Sequence, residues 1–175
     1  MQTQAGHQAT DIKPTADTVD IHEFRLALAQ FATGITVVTA CGPEGRRVGV
    51  TANSFNSVSL HPPLVLWSLA NKSSSLGTFQ ACTHYAVNIL TADQQALATH
   101  FATHIGDKFE GLDFDTGLGG CVLLKDCLAS FECINRSRYQ EGDHTILVGE
   151  VVNFKYQSGD PLVYHARQYF NGLKA

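Results

Sequence analysis

Two short stretches of this chain carry hydroxyl and amide side chains at a density that chemistry could use. Residues 51 to 59, T-A-N-S-F-N-S-V-S, hold six such side chains in nine positions. On an extended segment alternate positions face one side, so a row of short donors there could surround phosphate oxygens or the polar rim of a heterocycle. The plain alternative is a solvated strand face running into a Ser/Thr-rich turn. The second stretch is Asn71, Lys72, Ser73, Ser74 and Ser75. One cation, several hydroxyls and the free amides at the start of a following helix suit an anion. Its plain alternative is an N-cap cluster with Lys72 merely solvated. That both stretches bracket P-P-L-V-L-W weighs toward one site.

Other candidates are weaker. His100 and His104 share a helical face at i and i+4 and could reach one metal ion. However, the H-E-x-x-H pattern needs a Glu where Phe101 stands, and no Cys or carboxylate set completes the ligands, so no metal is expected. The five cysteines, at 41, 82, 121, 127 and 133, form no C-x-x-C pair and read as buried reduced thiols. Neither G-x-G-x-x-G after a strand nor G-x-x-x-x-G-K-[ST] occurs, so any bound phosphate is held another way. His144 follows Gly-Asp in a turn, where an exposed polar role is the ordinary expectation.

The elements that must position these residues follow from patterning. At 175 residues the chain has the length of one domain, and 44% hydrophobic against 16% charged residues gives it a core to bury. A net charge of -4 supplies no general attraction for nucleic acid or anionic lipid. No signal-like or membrane-spanning apolar run is present, so a cytoplasmic protein is expected. Residues 1–18 read as a flexible leader and 19–175 as the domain. A helix begins after Asp20, with Ile21, Phe24, Leu28 and Phe31 on one face, and ends at Gly34. Strands are predicted over 35–40, 48–60, 64–70 and 85–90, with Pro62 and Pro63 breaking the chain between the second and third. Helices are predicted over 74–82 and, capped by Thr91 and Gln94, through Leu97 and Phe101. Residues 105–120 read as a long irregular loop, 121–156 as strand-turn-strand about E-G-D, and S-G-D-P at 158–161 punctuates before L-V-Y-H-A-R-Q-Y-F. Turns rather than crossover helices join most strands. The expectation is a mainly β fold with flanking helices, an antiparallel and nearly closed barrel.

A family resemblance is carried by R-x-A-L-A-Q-F-A-T-G-I-T-V-V-T near the start, V-T-A-N-S-F-N-S-V-S-L-H-P-P-L-V-L, N-K-S-S-S, V-N-I-L, K-F-E-G and E-G-D-H-T-I-L-V-G-E-V. In this order and spacing, from about residue 22 to 172, the chain resembles the short-chain flavin reductases, the reductase components of two-component flavin-dependent monooxygenases. The resemblance implies an antiparallel split β-barrel homodimer that reduces FMN or FAD with NADH or NADPH and hands the reduced flavin to a separate oxygenase. It also implies site residues. Thr51, Ala52, Asn53 and Ser54 would line the isoalloxazine and ribityl chain. Ser68, Leu69, Ala70, Asn71, Lys72, Ser73 and Ser74 would hold the phosphate end. Phe101, Ala102 and Lys108 would approach the flavin, and His144 would contact the nicotinamide. Tyr169, with Phe170, would give aromatic cover. Hydride transfer between the two cofactors needs stacking, exclusion of water and stabilisation of negative charge, not a nucleophile. A non-catalytic flavin-binding or electron-carrier barrel would use the same anion-binding segments. FMN against FAD and NADH against NADPH stay open, with Arg46, Arg47, Arg136, Arg138 and Arg167 all available to a 2′-phosphate.

Overall fold

A computed structural model describes residues 18–103 and 106–172. The expected leader lies outside these apart from Thr18. Helix α1 spans Ile21–Leu28, and the Asp20 carboxylate caps it by accepting the His22 and Glu23 amides at 2.7 and 3.3 Å. It ends well before Gly34. The chain is drawn out by pairing of a two-residue strand β1 (Thr33–Gly34) with a strand near the C-terminus, which leaves Phe31 beyond the helix.

The main sheet has seven strands: β2 (Thr36–Cys41), β3 (Arg47–Ala52), β4 (Asn56–Leu60), β5 (Pro63–Ala70), β6 (His84–Ile89), β9 (Ala129–Glu141) and β10 (His144–Tyr156). Their order is β3-β2-β6-β9-β10-β5-β4, and every pairing is antiparallel. β3 and β4 are thus opposite edges, yet only residues 53–55 join them. A flat seven-strand sheet would hold its edges about 29 Å apart, six gaps of about 4.8 Å. The link from Ala52 to Asn56 reaches at most about 14 Å. The sheet must therefore roll, and it closes into a split barrel with its seam between β3 and the β4-β5 hairpin. The expected continuous strand 48–60 is corrected to two strands on either side of that seam.

Burial on both faces accounts for the unbroken apolar runs. Val38, Trp67, Tyr85 and Leu147 fill the barrel, while the neighbouring Val37 faces a second core with Leu90, Phe101, Phe109 and Val122. Helix α2 (Leu76–Ala81) is shorter than expected and plugs one end, setting Phe79 edge-on to Trp67 at 4.8 Å. Helix α3 (Gln95–Thr103) covers the second core, entered through the expected Thr91/Gln94 capping box.

One further expectation needs correction, and one stretch without an expected element acquires one. The loop 105–120 contains strand β7 (Phe114–Thr116), paired with β8 (Val122–Leu124), because Phe114 packs on Phe109. The run after Pro161 is a hairpin, β11 (Leu162–His165) and β12 (Gln168–Asn171), turning at Ala166 and Arg167 with φ of 47° and 65°. All five cysteines are free, four of them buried. Burial pushes the Cys121, Cys127 and Cys133 thiols up to about 12, as inert core residues require. Among the described residues no helix is long and apolar enough to cross a membrane.

Candidate functional site

The first polar stretch meets β5 at the seam, three residues ahead of the second. Ser54 Oγ donates to the Ser68 carbonyl at 3.1 Å and accepts the Ser68 amide at 2.9 Å, so one hydroxyl stands in for a missing ladder residue on β5. Three residues earlier, Thr51 Oγ1 donates to the Ala98 carbonyl at 2.6 Å and ties α3 to β3. These hydroxyls hold the fold, and they face a ligand only with their remaining lone pairs. The anticipated single row of donors is replaced by a division of labour. Thr51 anchors β3 to α3 and Ser54 fixes the seam, and Asn53 between them is exposed, with its amide free of protein partners among the described residues.

The second stretch is organised by Asn71. Its backbone N–H donates to the Asp143 carbonyl at 2.9 Å, its Nδ2 to the Gly142 carbonyl at 3.2 Å, and its Oδ1 accepts the Thr145 hydroxyl at 2.7 Å. Both ends of the side chain engage the β9-β10 hairpin, leaving one Nδ2 proton and one Oδ1 lone pair for any ligand. The consequence is placement: His144 pairs with Ala70 across β10 and β5, at the rim from which Lys72, Ser73 and Ser74 continue. His144 Nδ1 and Asp143 Oδ1 lie 2.7 Å apart. That hydrogen bond, the charge interaction with His144, and a smaller pull from Lys72 hold the Asp143 carboxyl below the usual range. Ser73 Oγ accepts the Ser75 amide at 3.3 Å, whereas Lys72 and Ser74 are exposed. Ser68 and Ala70 are half-buried on β5, and the Leu69 side chain points into the barrel core, leaving only its backbone for any ligand.

Lys108 lines one cavity with Ser74. Its Nζ donates to the Phe101 carbonyl at 2.6 Å and the Gly49 carbonyl at 3.2 Å, and burial pushes its pKa down. The Phe101 ring is 1% exposed and edge-on to Phe109 at 5.3 Å, so it supports the site from beneath, and Ala102 is the exposed neighbour. Gly49 is required here, since a Cβ would meet Phe101 Cε1 at 2.4 Å. Tyr169 packs on Tyr164 at 5.2 Å and lines a different groove with Gln95, His165 and Phe170. Of the histidine pair, His100 Nε2 donates to the Lys108 carbonyl at 2.8 Å, and His104 lies outside the described residues.

A cavity of about 620 Å³ lies between the β2-β3 hairpin, residues 74–75 and residues 106–109, with Arg46, Arg47, Ser74 and Lys108 in its wall. The hairpin reads in the sequence as a bare turn. Only the rolling of the sheet makes it a wall.

Residues 28–173 match the family model described as "Flavin reductase like domain". The chain is 48% identical over 141 residues, 81% of its length and 80% of the relative's, to the FMN reductase (NADH) SmoA of Agrobacterium fabrum. It is 39% identical to the reductase component of the flavin-dependent trigonelline monooxygenase of Acinetobacter baylyi, covering 89% of this chain but only half the length of that relative. Among solved structures, the NADH:FAD oxidoreductase SgcE6 of Streptomyces globisporus, in complex with NAD and FAD fragments, superposes with a TM-score of 0.83 at 35% identity, covering 88% of this chain and 93% of that one.

Proposed function

This chain belongs to the flavin reductase-like family, and on that footing we propose that it is the NAD(P)H:flavin oxidoreductase of a two-component monooxygenase. It takes hydride from NADH or NADPH, reduces FMN or FAD, and supplies the reduced flavin to an oxygenase component. The observation that carries the reading is the convergence of residues 51–54, 68–74 and the His144 turn on one rim, through the Ser54–Ser68 and Asn71–hairpin bonds.

The donor set fits the cofactors. Arg46, Arg47, Lys108 and Ser74 line one cavity with Phe109 in its wall and Phe101 packed beneath, and Lys72, Ser73 and Asn53, the last with an uncommitted amide, lie on the polar segments beside it. Nicotinamide and flavin, once bound, supply the hydride transfer itself. The chain's own residues orient and charge-match. The backbone at 51–54 is fixed at both ends by its hydroxyl bonds, so its dipoles need no rearrangement when negative charge develops beside them. Lys72 and Ser74 hold the flavin's phosphate end, and His144, steadied by Asp143, positions the nicotinamide. In this reading the protein is a cytoplasmic homodimer whose partners are these nucleotides and the oxygenase, without nucleic acid or membrane.

The test is to mix purified protein with NADH or NADPH, add FMN, FAD or riboflavin in turn, and follow the absorbance of the reduced nicotinamide. Flavin-dependent loss of absorbance is expected. Yellow flavin bound without turnover by either nicotinamide would turn the assignment to a carrier, and absence of flavin uptake would end it.

A further inference from the structure

The half-buried His100 is left over from the histidine pair, and its contact runs toward the segment that follows α3 rather than toward a metal. Its Nε2 lies 2.8 Å from the Lys108 carbonyl oxygen. A carbonyl only accepts, so Nε2 carries the proton in the neutral and the charged ring alike. The ring stands edge-on to Phe101, with centroids 5.4 Å apart at 85°, which sets its direction from α3.

A second tie runs the opposite way. Lys108 Nζ donates to the Phe101 carbonyl at 2.6 Å and to the Gly49 carbonyl at 3.2 Å. Phe101 is among the last four residues of α3, whose carbonyls have no partner inside the helix, so the ammonium is also a cationic cap. The His100 side chain thus holds the Lys108 main chain, and the Lys108 side chain holds the main chain beside His100. Asp107 accepts the Phe109 amide at 2.9 Å and fixes the turn around Lys108 itself.

Two of the three ammonium protons are taken by carbonyls, and one remains for the cavity that Lys108 lines. An untethered lysine gives up rotamer freedom when it meets an anion; here folding has already taken that freedom, so the charge is preorganised. The two Nζ bonds restrain only the end of a long flexible stem. The tie from α3 to its root is His100.

We propose that His100 is a positioning residue for phosphorylated flavin: by holding the Lys108 main chain it presents the Lys108 ammonium to the ligand's phosphate and strengthens the preference for FMN over riboflavin. The proposal rests on the reading of the chain as a flavin reductase. Riboflavin carries the same rings without the phosphate, which makes it the control.

Dissociation constants for FMN and riboflavin are measured by calorimetry on the protein without nicotinamide, so no turnover enters. His100→Phe keeps a ring against Phe101 and lacks the donor; it should weaken FMN at least fivefold and change riboflavin less than twofold. His100→Gln, whose amide nitrogen can take the place of Nε2, should keep FMN within twofold of the unaltered protein. In a Lys108→Met background His100→Phe should cost FMN nothing more, because the two residues act as one. His100→Leu is a second donor-free variant and carries the comparison if His100→Phe does not fold. Unchanged FMN affinity in the donor-free variants, equal weakening of FMN and riboflavin, a His100→Gln as weak as His100→Phe, or an undiminished effect beside Lys108→Met would each overturn the proposal. An unaltered protein that binds neither flavin defeats the reductase reading and the proposal together, whereas FMN binding that the donor-free variants leave intact defeats the proposal alone.

Discussion

Asn71 is the residue whose role changes most between sequence and structure. As one of a polar cluster it is a candidate ligand contact; in the fold it is the clamp on the turn that carries His144. Asn71→Ala leaves the Thr145 hydroxyl, 3% exposed, without its acceptor, a loss of about 1–3 kcal/mol readable by denaturant unfolding. The kinetic signature separates this from a ligand contact. Asn71→Ala and His144→Ala should both raise the KM for the nicotinamide several-fold more than that for flavin, because both loosen one turn. Equal rises for the two substrates would make the turn structural only. Lys108 carries the pH prediction. Burial favours its neutral form, so its pKa lies below the ordinary 10.5. Between those values the unfolded chain binds more protons, so folding stability rises with pH across that window while the groove loses a cation. FMN affinity should therefore fall across the window in the unaltered protein and hold steady in Lys108→Arg. A flat profile for both would remove Lys108 from phosphate binding.

At the scale of elements, the seam decides the architecture. Ser54 replaces a strand residue opposite Ser68, and Ser54→Ala leaves both Ser68 backbone groups unpaired at half burial, a cost of about 1–3 kcal/mol. Ser54→Ala should also weaken FMN binding, since residues 51–54 lose their anchor; a variant that unfolds earlier yet binds FMN as tightly would leave the seam structural alone. How far such features are legible in sequence depends on their range. Strands at 36–41 and 63–70 show in the apolar runs because both faces are buried, and α3 shows in its Thr91/Gln94 box. The break at 53–55 does not show, because Asn-Ser-Phe contains no breaker and the bend comes from the rolled sheet. The β11-β12 hairpin is hidden because Ala166 and Arg167 take positive φ, where a Gly or Asn would have signalled the turn. The polar stretches of the site are local and legible. The Arg46 and Arg47 wall is not, since its meaning depends on residues about sixty positions away in the chain.

At the scale of the molecule, α1 poses a problem that the described residues of one chain do not solve. It has eight residues and buries none of them, while isolated helices shorter than about 12–15 residues are marginal in water. Its apolar face is open: Ile21, Phe24 and Leu28 are 59%, 49% and 57% exposed, and Phe31 beyond it 75%. The far end of β10 adds a second open patch at Val152, Phe154 and Tyr156. At about 1.5–3 kcal/mol for each side chain fully buried, scaled by their exposed fractions and counted on both protomers, the four residues at α1 could contribute at most about 7–14 kcal/mol. A micromolar dimer requires about 8 kcal/mol after the cost of association, so α1 alone is a thin interface and the β10 patch must share in it. The homodimer proposed above thus has a specific form, in which both patches are covered together. Sedimentation at micromolar concentration should give twice the chain mass. Leu28→Glu with Phe154→Glu should yield a monomer of lower helix content by circular dichroism, because α1 loses the contact that orders it. A monomeric unaltered protein, or a dimer indifferent to both changes, would show that neither patch is the interface.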